Sequence, residues 1–260
     1  MSERGFGVAA GLDPEVAKPL ATRCQELGYS SLWSNDTPIA SGLETLAAFA
    51  EAAPDVDLGV TMALDRHPPD EIAANLERLG LSTDRLWIAI GAGTSERPLT
   101  RMRAALADLR AALPEVRLVL AAMGPKMCRL AGAEYDGAFL NWMTPEFAAG
   151  ALRNVETGAD EARREPPPVL GYVRTAVGPD AAERLAKEES FYRDLHAGYR
   201  NHFDRLGEPE GTVGIAAPDP KAAQRELAAY DDVLDVTVVR GLASATVDGM
   251  TALAEATAPR

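Results

Sequence analysis

Short apolar runs alternate with longer stretches of helical periodicity along the whole chain. The first run, 6–10, leads to Asp13 and Pro14, an N-cap and first-turn proline for a helix striped by Val16, Leu20, Cys24 and Leu27. Gly28 is a natural stop for it. Further apolar runs predict strands over 31–35, 56–63, 86–90, 116–122, 137–141, 169–176 and 233–239. Between them the periodicity predicts helices over 42–53, behind Pro68 and Pro69, over 98–113 and 126–134, and from Pro145. A long helical region follows over 180–206, with a short helix over 222–230 and a closing one over 247–256.

Strands that read as continuous apolar runs are covered by helices on both faces, as parallel strands are. Eight strand–helix units in 260 residues predict an α/β fold, a single-domain TIM (β/α)8 barrel over 1–260 with short loops. An open doubly wound sheet is the alternative, because alternation alone does not show closure. No flexible linker interrupts the pattern, and the three prolines at 166–168 read as a helix stop. In either fold, ligands bind outside the carboxyl ends of the strands.

Composition narrows the partners. A formal charge of −13 disfavours phosphate backbones and anionic membranes, so neither nucleic acid nor membrane is expected. Cys24 and Cys128 both fall in apolar helical patterns, which argues against a disulfide framework. No two histidines are spaced with carboxylates as metal ligands, and no metal is expected. The opening segment lacks a basic-then-apolar signal, and no apolar run nears the ~20 residues of a membrane span. A cytoplasmic protein is expected.

The strand ends hold the candidate chemistry: Asn35-Asp36-Thr37, Gly59-Val60-Thr61-Met62, Gly91-Ala92-Gly93, Ala122-Met123-Gly124-Pro125, Asn141-Trp142, Arg174 and Arg240. Small residues there let a flat ligand approach the backbone. Gly91-Ala92-Gly93 is not a dinucleotide fingerprint, since position 96 is Glu and the segment follows the fourth strand. Asp36 equally suits capping the next turn. His67, beside Pro68, suits packing or capping at a helix start, and His196 and His202 suit a solvated helix. Trp33, Trp87 and Trp142 read as core, with Trp142 the one that could meet a ring. Arg174 and Arg240 suit phosphate binding or surface salt bridges. No Ser–His–acid or Cys–His arrangement can be assembled.

Taken in order, these segments resemble the luciferase-like monooxygenase superfamily, especially its deazaflavin (coenzyme F-420) branch. The carrying residues are Leu32-Trp33-Ser34-Asn35-Asp36, Leu58-Gly59-Val60-Thr61, Arg66-His67-Pro68, Arg85-Leu86-Trp87-Ile88-Ala89-Ile90-Gly91-Ala92-Gly93, Ala121-Ala122-Met123-Gly124-Pro125-Lys126-Met127 with Leu130-Ala131-Gly132, and Asp136-Gly137-Ala138-Phe139-Leu140-Asn141-Trp142. The resemblance implies an oxidoreductase that passes a hydride between a bound deazaflavin and a small organic substrate. An FMN-dependent monooxygenase, or a barrel that binds without turnover, are the alternatives. It implies Asp36 and Thr37 as the proton-handling positions, with Thr37 where many members carry His. It implies coenzyme contacts at Gly59, Val60, Thr61, Met62, Gly91, Gly93, Ala122, Met123, Gly124, Pro125, Asn141 and Arg240, and a cis peptide at Gly59–Val60. The brief loops imply an open pocket, and the family implies a homodimer.

Overall fold

The computed structural model describes residues 3–260. Its strands are β1 (Glu3–Ala9), β2 (Ser31–Asn35), β3 (Asp57–Ala63), β4 (Leu86–Gly91), β5 (Arg117–Ala121), β6 (Gly137–Asn141), β7 (Val169–Val177), β8 (Ile215–Ala217) and β9 (Val236–Gly241). The order β6-β5-β4-β3-β2-β1-β9-β7 is all parallel, and β6 also pairs with β7. Eight strands therefore close on themselves, and the open-sheet alternative falls. The fold is a TIM barrel.

The helices are α1 (Pro14–Glu26), α2 (Gly42–Ala52), α3 (Pro69–Leu79), α4 (Pro98–Ala112), α5 (Pro125–Glu134), α6 (Pro145–Ala162), α7 (Ala181–Leu195), α8 (Ala197–Leu206), α9 (Pro220–Asp231) and α10 (Val247–Ala256). Pro14, Pro69, Pro98, Pro125, Pro145 and Pro220 each open a helix, where the missing N–H costs nothing. Asp13, Thr144, Asp219 and Thr246 accept from first-turn amides. Among the described residues no helix is long and apolar enough to cross a membrane.

Two predicted elements differ. The helical region after β7 breaks at His196, whose extended backbone (φ −167°) ends α7 and whose side chain caps α8 by accepting from Gly198 N. Residues 215–217, predicted as no strand, form β8 beside the end of β7, from Thr175↔Ile215 to Val177↔Ala217. The last barrel strand also starts later than its apolar run. The amides of Val233 and Leu234 bond the Tyr230 carbonyl and close α9 instead.

Alternate strand residues divide the core in two. Phe6, Leu32, Val60, Ile88, Leu118 and Val239 face the helices. Trp33, Ala89, Val119, Phe139, Leu170, Tyr172, Val236 and Val238 fill the barrel interior. Trp33 lies 4.7 Å from Phe139, and its indole N–H donates to Ser31 Oγ at 2.9 Å. Gly59 is glycine because of this ring: a β-carbon there would overlap Cδ2, Cε2 and Cε3 of Trp33. Below the barrel, buried Arg4 bonds Asp231 (2.5 Å), Gln224 (2.8 Å) and the Thr257 and Ala258 carbonyls, tying β1 to α9 and the chain end.

Candidate functional site at the barrel mouth

Continuing the inward parity of the interior residues to the carboxyl ends of the strands places nine positions around the mouth. On β1, β3, β4 and β5 these are Ala9, Thr61, Ala63, Gly91 and Ala121, all small and half-buried. On β2, β6, β7 and β9 they are Asn35, Asn141, Arg174 and Arg240. One side of the mouth is thus a shallow small-residue floor, and the other is polar and cationic.

The cationic side is buried. Arg174 and Arg240 are partners in register on adjacent strands and are 2% and 5% exposed. Arg240 Nε donates to Asn35 Oδ1 at 2.8 Å and Nη1 to the Gly241 carbonyl at 2.9 Å. Its nearest carboxylate, Glu188, stands 3.9 Å away, beyond hydrogen-bond reach. Arg174 donates to Asn141 Oδ1 and lies over the rings of Trp142 (4.2 Å) and Tyr192 (4.9 Å). Burial lowers the pKa of Arg240, with Glu188 opposing and the neighbouring Arg174 charge reinforcing that fall. Arg174 is in no salt bridge among the described residues, and the one that Arg240 makes, with Glu188, is long and largely buried, not a surface pair.

The mouth is covered, whereas the brief loops imply an open pocket. The connection after β7 folds as α7 and α8, and its residues reach inward. Tyr199 Oη accepts from Asn141 Nδ2 at 3.3 Å, and Glu188 and Tyr192 face the arginines. This cover has its own core of Trp142, Ala181, Leu185, Phe203, Val213 and Leu242. Fully buried Glu189 accepts from Arg193 (2.6 Å) and Val213 N (3.0 Å), and Arg184 donates to the Leu242 and Val177 carbonyls at 2.6 Å each. His202, expected to be solvated, is fully buried within it. Its Nε2 lies 2.5 Å from the Trp142 carbonyl and its Nδ1 3.1 Å from the Met123 carbonyl. Burial lowers its pKa, although both carbonyls favour the charged form. Trp142 adopts a left-handed backbone (φ 50°), uncommon for a bulky residue, which aims its carbonyl at His202 while its ring meets Arg174.

At the rim, the side chain of Asp36 is 3% exposed and both its oxygens are engaged. Oδ1 accepts from Gly42 N at 2.9 Å, holding the start of α2 where Ser41 makes no side-chain cap. Oδ2 pairs with His67 Nε2 at 2.8 Å and Arg66 Nη2 at 3.1 Å. Thr37 turns away into a local bend, exchanging bonds with Ala40 through its hydroxyl. A histidine therefore does meet Asp36, but it comes from the loop after β3 and not from position 37.

The other expected coenzyme positions are dispersed. Thr61, Gly91, Asn141 and Arg240 are brought together at the mouth. Gly59 lies a layer below, under Trp33, and Val60 and Met62 turn their side chains to the helices. The Gly59–Val60 bond is trans, as are all peptide bonds among the described residues, so the expected cis bond is absent. Gly93 has φ 64°, and the Asp65 carboxylate that accepts from Thr94 packs on its bare α-carbon. Ala122 is buried against the helices, and Met123 offers its carbonyl to His202 and Arg205. Gly124 and Pro125 line a cavity of about 280 Å³ with Phe147 and Asn154 between α5 and α6, outside the barrel. Glu188, Tyr192 and Tyr199 stand in no motif of the sequence. Their only signal was an unusually long, tyrosine-containing helical connection after the seventh predicted strand. Among the described residues no group of three or more His, Cys, Asp or Glu gathers as a metal site would.

A closed parallel barrel with its polar residues collected at the carboxyl ends has the layout of a barrel enzyme. Within that class, a model of the luciferase-like monooxygenase family matches residues 104–258, more than half of the chain, and the chain belongs to that family. Solved structures agree in fold. An F-420-dependent secondary alcohol dehydrogenase bound to an F-420–acetone adduct superimposes with a TM-score of 0.75 at 16% identity, covering 98% of each chain. The coenzyme F-420 dependent tetrahydromethanopterin reductase from Methanopyrus kandleri gives 0.72 at 15% identity, again over 98% of each. The monooxygenase RslO1 from Streptomyces bottropensis gives 0.66 at 16% identity, over 97% of this chain and 98% of its own.

Proposed function

We propose that the protein is a deazaflavin-dependent oxidoreductase that transfers a hydride to or from a small carbonyl or alcohol substrate. The observation that carries this reading is the divided mouth. The side formed by Ala9, Ala63, Gly91 and Ala121 carries only small, half-buried residues, so a flat ring lying there would approach the backbone closely. Opposite, Asn141, Arg174 and Arg240 offer donors to a substrate. Family membership, with two F-420-dependent enzymes among the structural neighbours, supports the choice of coenzyme.

A reduced deazaflavin, when bound, supplies the hydride. The protein supplies the rest. Asn141 and Thr61 orient polar edges, and the α7–α8 cover excludes water from the reacting atoms. The proton goes through His67, the imidazole paired with Asp36 at the rim. Asp36 holds its ring as a buried carboxylate orients an imidazole, and Thr37 takes no proton. When a carbonyl is reduced, its carbon gains the hydride and its oxygen takes the proton from His67.

The cover also favours a second reading, an FMN-dependent monooxygenase, because oxygen chemistry on a reduced flavin needs shielding from water. Mixing the protein with reduced deazaflavin and a panel of ketones, and following the return of ring absorbance, separates the two. Ketone-dependent oxidation without oxygen supports hydride transfer. Oxidation that needs oxygen, or only FMN turnover, defeats it.

A further inference from the structure

Among the described residues eight buried side-chain polar atoms lack a hydrogen-bond partner, and three of them belong to neighbouring residues: Arg174 Nε, Trp142 Nε1 and Tyr172 Oη. The Arg174 guanidinium lies 4.2 Å from the Trp142 ring centre and 5.6 Å from that of Tyr172, so the three residues are direct neighbours. Burial pushes the Tyr172 phenol well above its ordinary range, and the Thr61 hydroxyl, which opposes that rise, makes no hydrogen bond of good geometry with it. Buried donors are nearly always satisfied, and a cluster that is not marks the place of an acceptor-rich group. Charge points the same way. No carboxylate lies within salt-bridge distance of Arg174 among the described residues, and Arg240 has only Glu188 at 3.9 Å. Two adjacent buried cations that share one carboxylate, itself beyond hydrogen-bond reach, are costly unless something more negative joins them.

We infer that the Arg174–Arg240 side of the mouth binds the carboxylate of an anionic organic substrate, with the Trp142 and Tyr172 donors completing its shell. Planar guanidinium groups match a carboxylate, and Glu188 leans on Arg240 as an internal stand-in that the substrate displaces. The net charge of −13 gives no long-range attraction for an anion, so recognition is local and depends on these four side chains. The inference adds a substrate class to the proposed function but stands without it, since the arginines are buried whichever coenzyme binds.

The test is calorimetric titration of the full chain with pyruvate and with its neutral methyl ester, at constant ionic strength, with and without saturating deazaflavin. The expected result is saturable pyruvate binding and none by the ester. Arg174→Gln should weaken it about tenfold or more. Trp142→Phe, which keeps a ring and removes only the indole N–H, should weaken it by a smaller factor. Thermal melting verifies that each variant is folded. Equal binding of the ester, no saturable binding of pyruvate, or a folded Arg174→Gln protein that binds as the parent does would overturn the inference. Displacement of pyruvate by deazaflavin would also overturn it, because the arginines would then hold the coenzyme. Failure of deazaflavin to bind while pyruvate still does would sink the proposed function and leave this inference standing.

Discussion

Replacing Gly59 by alanine tests whether this glycine serves the barrel core or the ligand. The residue has no left-handed φ, so its backbone suits any residue and the effect of a methyl group is steric. That methyl would land on three atoms of the Trp33 six-membered ring. Trp33 cannot retreat freely, being 0% exposed, stacked on Phe139 and held by Ser31. Overpacking a dense core costs about 1–3 kcal/mol. Breaking the indole hydrogen bond adds about 1 kcal/mol. Restricting the unfolded chain returns about 0.5 kcal/mol. The net loss is about 1.5–3.5 kcal/mol, which moves the urea midpoint down by roughly 1 M. Equilibrium urea unfolding followed by tryptophan fluorescence reads it. Adding Trp33→Leu should restore part of the loss by making room. A Gly59→Ala protein within about 0.5 kcal/mol of the parent would refute the packing argument.

Other substitutions probe the rim, the cover and the barrel base. His202 has a pKa below its ordinary 6.5, so as pH falls the unfolded chain takes up the proton first. Stability should be full above pH 6.5 and be lost below it, by at most about 1.4 kcal/mol per pH unit, and His202→Gln should flatten that slope in melting curves taken across pH. Arg4→Met leaves the Asp231 carboxylate without its partner and should cost about 3 kcal/mol in urea unfolding; a neutral result would show that the bonds at the barrel base contribute nothing net. Asp36→Asn keeps an acceptor for Gly42 N but no longer orients His67 as an anion. It should lower kcat with little change in KM and flatten the pH–rate profile, and an unchanged profile would exclude the Asp36–His67 pair from proton handling.

Much of the barrel was legible because its signals are local. Prolines at helix starts, capping Asp and Thr residues and unbroken apolar runs each report on a few neighbouring positions, and strand alternation follows from them. Closure was not local, since it depends on β6 meeting β7 and β9 meeting β1. The site was legible as a set of strand ends and not as an arrangement. Thr61, Gly91, Asn141 and Arg240 share inward parity, but Val60 and Met62 alternate outward, and strand-end position alone does not separate them. Gly59 shows the same limit. A glycine excluded by a tryptophan on the next strand looks, in sequence, like one left bare for a ligand. The cover escaped because its contacts join α7 and α8 to strands far away in the chain, as in the bond from Asn141 to Tyr199. The family model matches 104–258, whereas most of the quoted motifs precede residue 104, so the two lines of recognition overlap mainly at β5 and β6.

The central claim is a redox site in which a flat deazaflavin lies on the small-residue side of the barrel mouth. Side-by-side equilibrium titration of deazaflavin, FMN and a nicotinamide coenzyme, followed by ring absorbance and fluorescence, tests it most directly. The expected result is saturable micromolar binding of deazaflavin, weaker binding of FMN and none of nicotinamide, with Gly91→Leu abolishing the deazaflavin signal in a protein that still melts cooperatively. Deazaflavin that fails to saturate, or that binds undiminished to the Gly91→Leu protein, would contradict it.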